Sequence, residues 1–296
     1  MRRWLNILYN NSTVLFLFKL MIDLHCHSFF SDGFLSPEQL LAKAVDAGVR
    51  VLALTDHDTI AGLASLHTAA KGLPMQVVNG IEFSVRWKMH DIHIIGLQMN
   101  LEDNSFLESI HEQEQRRIER AQQIGACLAK IGVQDAYQKA CDYAGHTKVG
   151  RPHFGHILVG EGFALDMKQA FQRYLIRGKS AYVPTAWLSL DVIVDTIVQA
   201  GGQAVIAHPL KYNLTRSKLH ALITAFKHAG GVGLEVVSGQ MTVPQVMEMA
   251  GLCCRFELLG STGSDYHGDS VSRIGLGRQL ALPDCCTPIW QRWATH

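Results

Sequence analysis

No apolar run in the chain approaches the length of about 20 residues that crosses a bilayer, and no repeat of fixed period is present. Membrane-spanning classes are therefore excluded. A surplus of one charge is missing too: 27 basic residues stand against 26 acidic ones, a formal net charge of +1. That balance lacks the broad basic face of a duplex-binding protein, so duplex DNA is not an expected partner and any nucleic-acid contact should be short. Eight prolines and 26 glycines in 296 residues are ordinary counts, which excludes fibrous and disordered classes. What remains is a globular chain, 48% hydrophobic and 18% charged, long enough for one large or two modest cores.

The seven cysteines occur as two adjacent pairs, Cys253-Cys254 and Cys285-Cys286, and as the single residues Cys26, Cys127 and Cys141. Neither zinc-finger spacing nor a disulfide framework fits, so the expectation is seven reduced packing residues in a cytoplasmic protein. Near the N-terminus, Arg2 and Arg3 precede an apolar run, Val14 to Phe18, that is too short for an export signal and lacks a cleavage site. Residues 1–20 are expected to be a disordered extension.

From Met21 short apolar strands alternate with amphipathic helices, the mark of a parallel sheet or barrel built from βα units. Strands are predicted at Ile22 to His25, Val51 to Thr55, Gln76 to Phe83, Ile92 to Leu97, Gln203 to Ala207, Gly233 to Val237 and Leu258 to Ser264. Ser36, Pro37 and Gln39 supply an N-cap, a first-turn proline and a capping-box partner for a helix ending at Gly48. Between Leu101 and about Pro184 the alternation stops, and S-F-L-E-S-I-H-E-Q-E-Q-R-R-I-E-R carries helical spacing with charges on one face. The division expected is barrel at 21–100, a helical insertion at 101–184 that caps the substrate, and barrel again at 185–296.

Histidine is abundant: there are fifteen, and their placement carries the chemistry. His25 and His27 form H-C-H at the end of the first strand, where alternate residues share a face and two imidazoles can meet one ion. Asp32 follows in S-D-G, His57 in T-D-H-D, Glu82 in G-I-E-F-S, His93 in the fourth strand, His208 in A-H-P, and Asp265 with His267 in G-S-D-Y-H. Strand after strand thus delivers an imidazole or carboxylate to one end, the catalytic end of a βα barrel. Six imidazoles and three carboxylates exceed the needs of a single ion, and mixed nitrogen and oxygen donors suit manganese, iron or zinc. Such ions ionise water at neutral pH, so no side-chain nucleophile is needed. Cys26, between two donors, should point to the other face. Asp56 and Asp58 are read as groups that orient ligands rather than bind metal.

Together M-I-D-L-H-C-H-S, S-D-G, L-T-D-H-D-T, G-I-E-F-S, I-A-H-P and G-S-D-Y-H resemble the polymerase and histidinol phosphatase (PHP) superfamily of metallophosphoesterases, from Met21 to Trp293. With G-R-P-H-F at 150–154 and R-G-K-S-A-Y-V-P at 177–184, the chain is similar to nucleoside 3′,5′-bisphosphate phosphatases that also act as 5′-to-3′ exoribonucleases. The resemblance implies a distorted (βα)7 barrel holding three divalent cations, manganese first, with iron or zinc as alternatives. It implies that His25, His27, Glu82 and Asp265 hold the first, that Glu82 bridges to a second held by His93 and His208, and that Asp32, His57 and His267 hold the third. Phe29-Phe30 departs from the family's smaller residues and should narrow the pocket mouth.

The implied substrate is a small nucleotide or short RNA, with no membrane and no obligate protein partner. Arg151, whose fork matches a phosphate, and His153, a donor or acid, are the substrate-binding candidates, followed by Arg177 and Lys179. Glu235 is left open between a site role and a rim role. His67, His111, His220 and His228 are expected on the surface, and Arg116, Arg117 and Arg120 on a solvated helix face. The rival readings are a phosphatase of a small metabolite such as histidinol phosphate, which would not need Arg151 or His153, and a non-catalytic nucleotide-binding module.

Overall fold

The computed structural model describes residues 21–293, so the expected extension at 1–20 lies outside the described residues. The first βα unit forms as its capping signals dictate. Ser36 Oγ accepts from the Gln39 N–H at 3.2 Å, Gln39 Oε1 accepts from the Ser36 N–H at 2.9 Å, and Pro37 occupies the first turn of α1 (Pro37–Ala47). The helix stops at Gly48, whose φ of 84° suits a residue without Cβ. It joins β1 (Ile22–Asp23) to β2 (Val51–Leu54), and α2 (Leu63–Ala70) leads on to β3 (Gln76–Trp87) and β4 (His90–Leu97). After the helical block come α7 (Leu190–Gln199), with Ser189 at its N-cap position, β5 (Gln203–Ile206), α8 (Arg216–His228), β6 (Gly233–Ser238), α9 (Val243–Arg255) and β7 (Leu259–Gly263).

The seven strands lie in sequence order, and the Leu24 N–H donates to Thr262 O at 3.0 Å while Cys26 bridges Tyr266. The last strand therefore sits beside the first, in a nearly closed barrel. One expectation needs correction: the barrel is not parallel throughout. β4 runs antiparallel to both β3 and β5, because only Lys88 and Met89 separate the paired residues Trp87 and His90. A two-residue link with Lys88 at φ 53° makes a hairpin and leaves no chain for a crossover helix. The reversal has a functional result: His93, near the start of β4, pairs with Ser84 and comes level with the ends of the other strands.

Between Leu101 and Pro184 the regular elements are α3 (Asn104–Ala129), α4 (Ala136–Ala144), α5 (Arg151–Gly160), α6 (Met167–Ala170) and a π-helical turn at Phe171–Leu175. α3 joins two cores. Its Phe106 and Ile110 pack with Phe83, Ile94 and Ile193 of the barrel, while Ala121, Ile124 and Leu128 pack with Phe154, Leu158 and Leu175. Between those stretches, Arg117 and Arg120 are buried, not solvated as their charge pattern predicts. Arg117 donates to Asp58 through Nε at 3.1 Å and through Nη2, and both guanidinium groups lie over the Trp187 ring, at 5.5 and 5.4 Å. Helical periodicity cannot announce that a buried carboxylate waits on another element.

The cysteines are unpaired, but Cys254 and Cys285 are exposed, which contradicts a packing role for all seven. His220 is also half-buried, edge-on to Phe256 at 5.3 Å between centroids, instead of on the open surface.

Candidate metal centre

The nine predicted donors converge at one mouth of the barrel. Glu82, fully buried, is the hub. Its Oε1 lies 2.8 Å from His208 Nε2 and 2.9 Å from His93 Nδ1; its Oε2 lies 3.3 Å from both His25 Nε2 and His27 Nε2 and 3.0 Å from His57 Nδ1. Asp265 Oδ1 is 3.4 Å from His25 Nε2 and 3.3 Å from His27 Nε2. Asp32 Oδ1 is 3.3 Å from His267 Nε2 and 3.7 Å from His57 Nε2. Four overlapping sets of side chains bring their donor atoms within 4.8 Å of one another: His25, His27 and Asp265; His25, Glu82 and His208; His57, Glu82 and His93; and His27, Asp32, His57 and His267.

The backbone pays for this convergence locally. Gly263 is required because a Cβ there would meet His25 Cβ at 2.2 Å. His208 and Asp265 hold positive φ, 25° and 52°, which L-residues rarely adopt. The Glu235 carboxylate accepts from the His208 N–H at 2.6 Å, and His25 O accepts from the Asp265 N–H at 2.8 Å, fixing both.

The donor set fits cations better than it fits itself. His25 Nε2 and His27 Nε2 face each other at 3.1 Å, although two lone pairs repel unless a proton or cation lies between them. Glu82 Oε2, Asp32 Oδ1 and His57 Nδ1 are buried, and although donors or acceptors lie 3.0–3.7 Å away, none is aligned for a hydrogen bond, a costly state for polar atoms. Burial pushes the His25 pKa down, yet the Glu235, Glu82 and Asp265 carboxylates overcome this and raise it well above the usual imidazole range. Burial likewise opposes charge on Glu82, but His93, His25 and His57 hold its carboxyl well below its usual value. The pocket selects positive charge, and nitrogen with carboxylate oxygen is the ligand set of divalent transition metals.

Groups behind the donors fix their direction. Glu235, left open by the sequence, is buried and accepts from His25 Nδ1 at 2.9 Å, which turns the His25 Nε2 lone pair inward. Asp56 accepts from the Ser28 N–H at 2.7 Å and from the Ser31 hydroxyl at 2.6 Å, anchoring the loop that carries Asp32. Asp58 accepts from the Ser84 N–H at 2.7 Å beside Arg117, so neither aspartate points a free oxygen at the donors. Cys26 donates to Ala53 O at 3.3 Å, and burial drives its thiol pKa well up, which fits its exclusion as a nucleophile.

Two lobes of a cleft meet at the donors. One, about 520 Å³, is lined by Arg151, Arg177, Tyr182 and His90 together with His57, Glu82 and His93. The other, about 770 Å³, is lined by Phe29, Phe34, Tyr143, His153 and His156. Lys211, Asp265 and His267 line both lobes and form the seam. Arg151 and His153 thus diverge into different lobes although only Pro152 separates them. His153 Nδ1 accepts from the Gly150 N–H at 2.9 Å, and burial holds its pKa at about 4, so the ring is neutral at pH 7 and offers Nε2–H as a donor. Lys179, exposed like Arg177, lines neither lobe, whereas Arg151, His153 and Arg177 each line one. Sequence reasoning passed over Lys211, which pairs with Asp265, and Tyr212, whose hydroxyl accepts from the His93 N–H at 2.9 Å. The only local signal was their position just after His208.

A nearly closed α/β barrel with nitrogen and oxygen donors gathered at one mouth is the architecture of a metal-using hydrolase. The chain belongs to the PHP domain family, whose model matches residues 23–176. It is 41% identical over 271 residues to a 5'-3' exoribonuclease of Haemophilus influenzae, covering 92% of this chain and 98% of that one. It is 38% identical over 271 residues to a 3',5'-nucleoside bisphosphate phosphatase of Chromobacterium violaceum, with 91% and 95% covered. Among solved structures, an amidohydrolase from Chromobacterium violaceum with bound sulfate and no metal superposes with a TM-score of 0.87 at 38% identity, over 91% of this chain and 94% of that one.

Proposed function

We propose that this chain removes the 3′-phosphate from nucleoside 3′,5′-bisphosphates, leaving the 5′-monophosphate, and trims short 5′-phosphorylated RNA in the 5′-to-3′ direction. The reading places it in the cytoplasm with three divalent cations, manganese first, held by His25, His27, Glu82 and Asp265; by Glu82, His93 and His208; and by Asp32, His57 and His267. The observation that carries it is the two-lobed cleft, with Arg151 and Arg177 in one lobe and Phe29, Phe34 and Tyr143 in the other. Both activities demand that geometry: one phosphate anchored, a base stacked, and the phosphorus on the 3′ oxygen set against the donors.

Bound cations would supply ionised water at neutral pH and offset charge on the phosphoryl oxygens. The chain's own residues do the rest. Arg151, with Arg177, offers a fork to the anchored phosphate, and Lys211 places an ammonium at the seam. His153 donates Nε2–H from the other lobe, where Tyr143 and His156 stack at 5.1 Å and Phe29 adds an exposed ring. The 101–184 block acts as a substrate cap in this reading, since Tyr143, Arg151, His153, His156, Arg177 and Tyr182 all come from it.

The test is product analysis with manganese-loaded protein and adenosine 3′,5′-bisphosphate. Adenosine 5′-monophosphate and phosphate should form, and should be lost in His25→Ala and Asp265→Asn. Arg151→Ala should cost about 10- to 100-fold in kcat/KM, the value of a charge-assisted hydrogen bond of about 1.5–3 kcal/mol, on the bisphosphate but not on adenosine 3′-monophosphate. Equal loss or no loss on both substrates overturns the two-phosphate reading and favours a small-metabolite phosphatase.

A further inference from the structure

Far from the donors, the two cysteine pairs meet. Cys253 and Cys254 end α9 and precede β7 at its N-terminal end, whereas Asp265 and His267 follow its C-terminal end. The cysteine pairs therefore lie at the opposite end of the barrel from the metal centre. The segment carrying Cys285 and Cys286 comes back along β7: Gly260 N–H donates to Thr287 O at 2.8 Å, and a Cβ on Gly260 would sit 3.1 Å from Cys286 Cβ. That close approach brings Cys254, Cys285 and Cys286 together, with their three sulfurs all within 4.8 Å of one another. Cys253, buried beside them, has its S–H committed to Leu258 O at 3.1 Å.

We propose that Cys254, Cys285 and Cys286 form a three-thiolate site for a soft cation, zinc first, which clips the C-terminal segment to the end of α9. Sulfurs of a tetrahedral zinc site lie about 2.3 Å from the ion and so just under ~4 Å from each other, a spacing the trio reaches with small side-chain movements. Two sulfurs would suffice for a disulfide; the convergence of a third is what a cation uses. Cys254 and Cys285 are exposed, so an ion can enter from solvent and the fourth position is open to water. Binding converts three thiols and one divalent cation into a trithiolate complex and three released protons. The clip also explains why two thiols stand on the surface of a chain whose other cysteines are at least half-buried.

The test is a cadmium titration of the reduced, manganese-loaded full-length protein, read by thiolate-to-metal charge-transfer absorption. The histidine and carboxylate donors contain no thiolate, so they are silent in this readout. A band that saturates at one equivalent, disappears in Cys254→Ser/Cys285→Ser and persists in Asp265→Asn is the expected result. Phosphatase activity of the serine variant should equal that of the parent. Zinc should slow modification of the two exposed thiols by a disulfide reagent at least tenfold. No band in the parent, a band retained in the serine variant, or recovery of the untreated protein with two of these cysteines joined as a disulfide would each overturn the assignment.

Discussion

Replacing Arg117 by Met should cost about 3 kcal/mol of stability. Arg117 and Asp58 have side-chain exposures of 8% and 0%, so their ion pair is buried. Removing one partner from such a pair typically costs about 3–5 kcal/mol, because the remaining charge loses its compensation. Asp58 would keep the Ser84 N–H at 2.7 Å and Gln113 Nε2 at 3.2 Å, which puts the loss at the lower end. Met keeps a stem of similar length but removes the guanidinium from over Trp187, so the change is chiefly electrostatic. In urea, with a slope of about 3 kcal/mol/M, the midpoint should fall by about 1 M with the slope unchanged. Asp58→Asn should be destabilising as well, since it strands Arg117 near the cationic Arg120 and Arg151 side chains. The double variant should lose less than the sum of the singles, the sign of direct coupling.

Acid supplies an independent check on the same pair. Burial raises the Asp58 pKa, but Arg117 and the Ser84 N–H outweigh it and hold the folded value below the ordinary one. For a carboxylate with a depressed folded pKa, the stabilisation is complete above the unfolded value of about 3.9 and is lost as pH falls through the folded value. Without Arg117 the folded pKa of Asp58 rises, so Arg117→Met should lose less stability than the parent on acidification below about pH 4, and the gap between the two should narrow. A loss under about 1 kcal/mol at pH 7, the range of exposed pairs, would refute the buried clamp.

Glu235→Gln keeps shape but weakens the acceptor that directs His25, and should reduce manganese affinity about 10- to 100-fold, measured by equilibrium titration of the chelator-treated protein. An unchanged affinity would remove Glu235 from the site. Gly263→Ala places a methyl 2.2 Å from His25 Cβ, and should abolish high-affinity metal uptake while leaving the far-ultraviolet circular dichroism intact. Wild-type metal content in that variant would show that the strand can shift. Chelation should remove phosphatase activity and lower the thermal midpoint together, since a cation that binds only the folded state stabilises it by mass action; activity surviving exhaustive chelation would contradict metal dependence.

Most of the clustered side chains were legible because they sit at or near strand ends, where period-two alternation fixes the face, as in H-C-H and D-Y-H; Asp32 comes from a loop and His93 from near the start of β4. The capping box at Ser36 was legible from residues adjacent in the chain. What escaped the sequence depends on partners remote in the chain. Arg117 reads as one more charge on an amphipathic helix until Asp58, 59 residues earlier, is seen to face it. Glu235 gains its meaning only from His25, 210 residues away, and the reversal of β4 follows from two turn residues that resemble any short loop. Arg151 and His153 share a motif but enter different lobes, because successive helical positions point in different directions. The four paired cysteines show the same limit from the other side: their spacing matches no known metal motif, yet the return of the C-terminal segment along β7 gathers three of their sulfurs. Local periodicity thus specifies which face a side chain takes, while topology specifies what it meets there. Chemistry that relies on the second is invisible until the barrel closes.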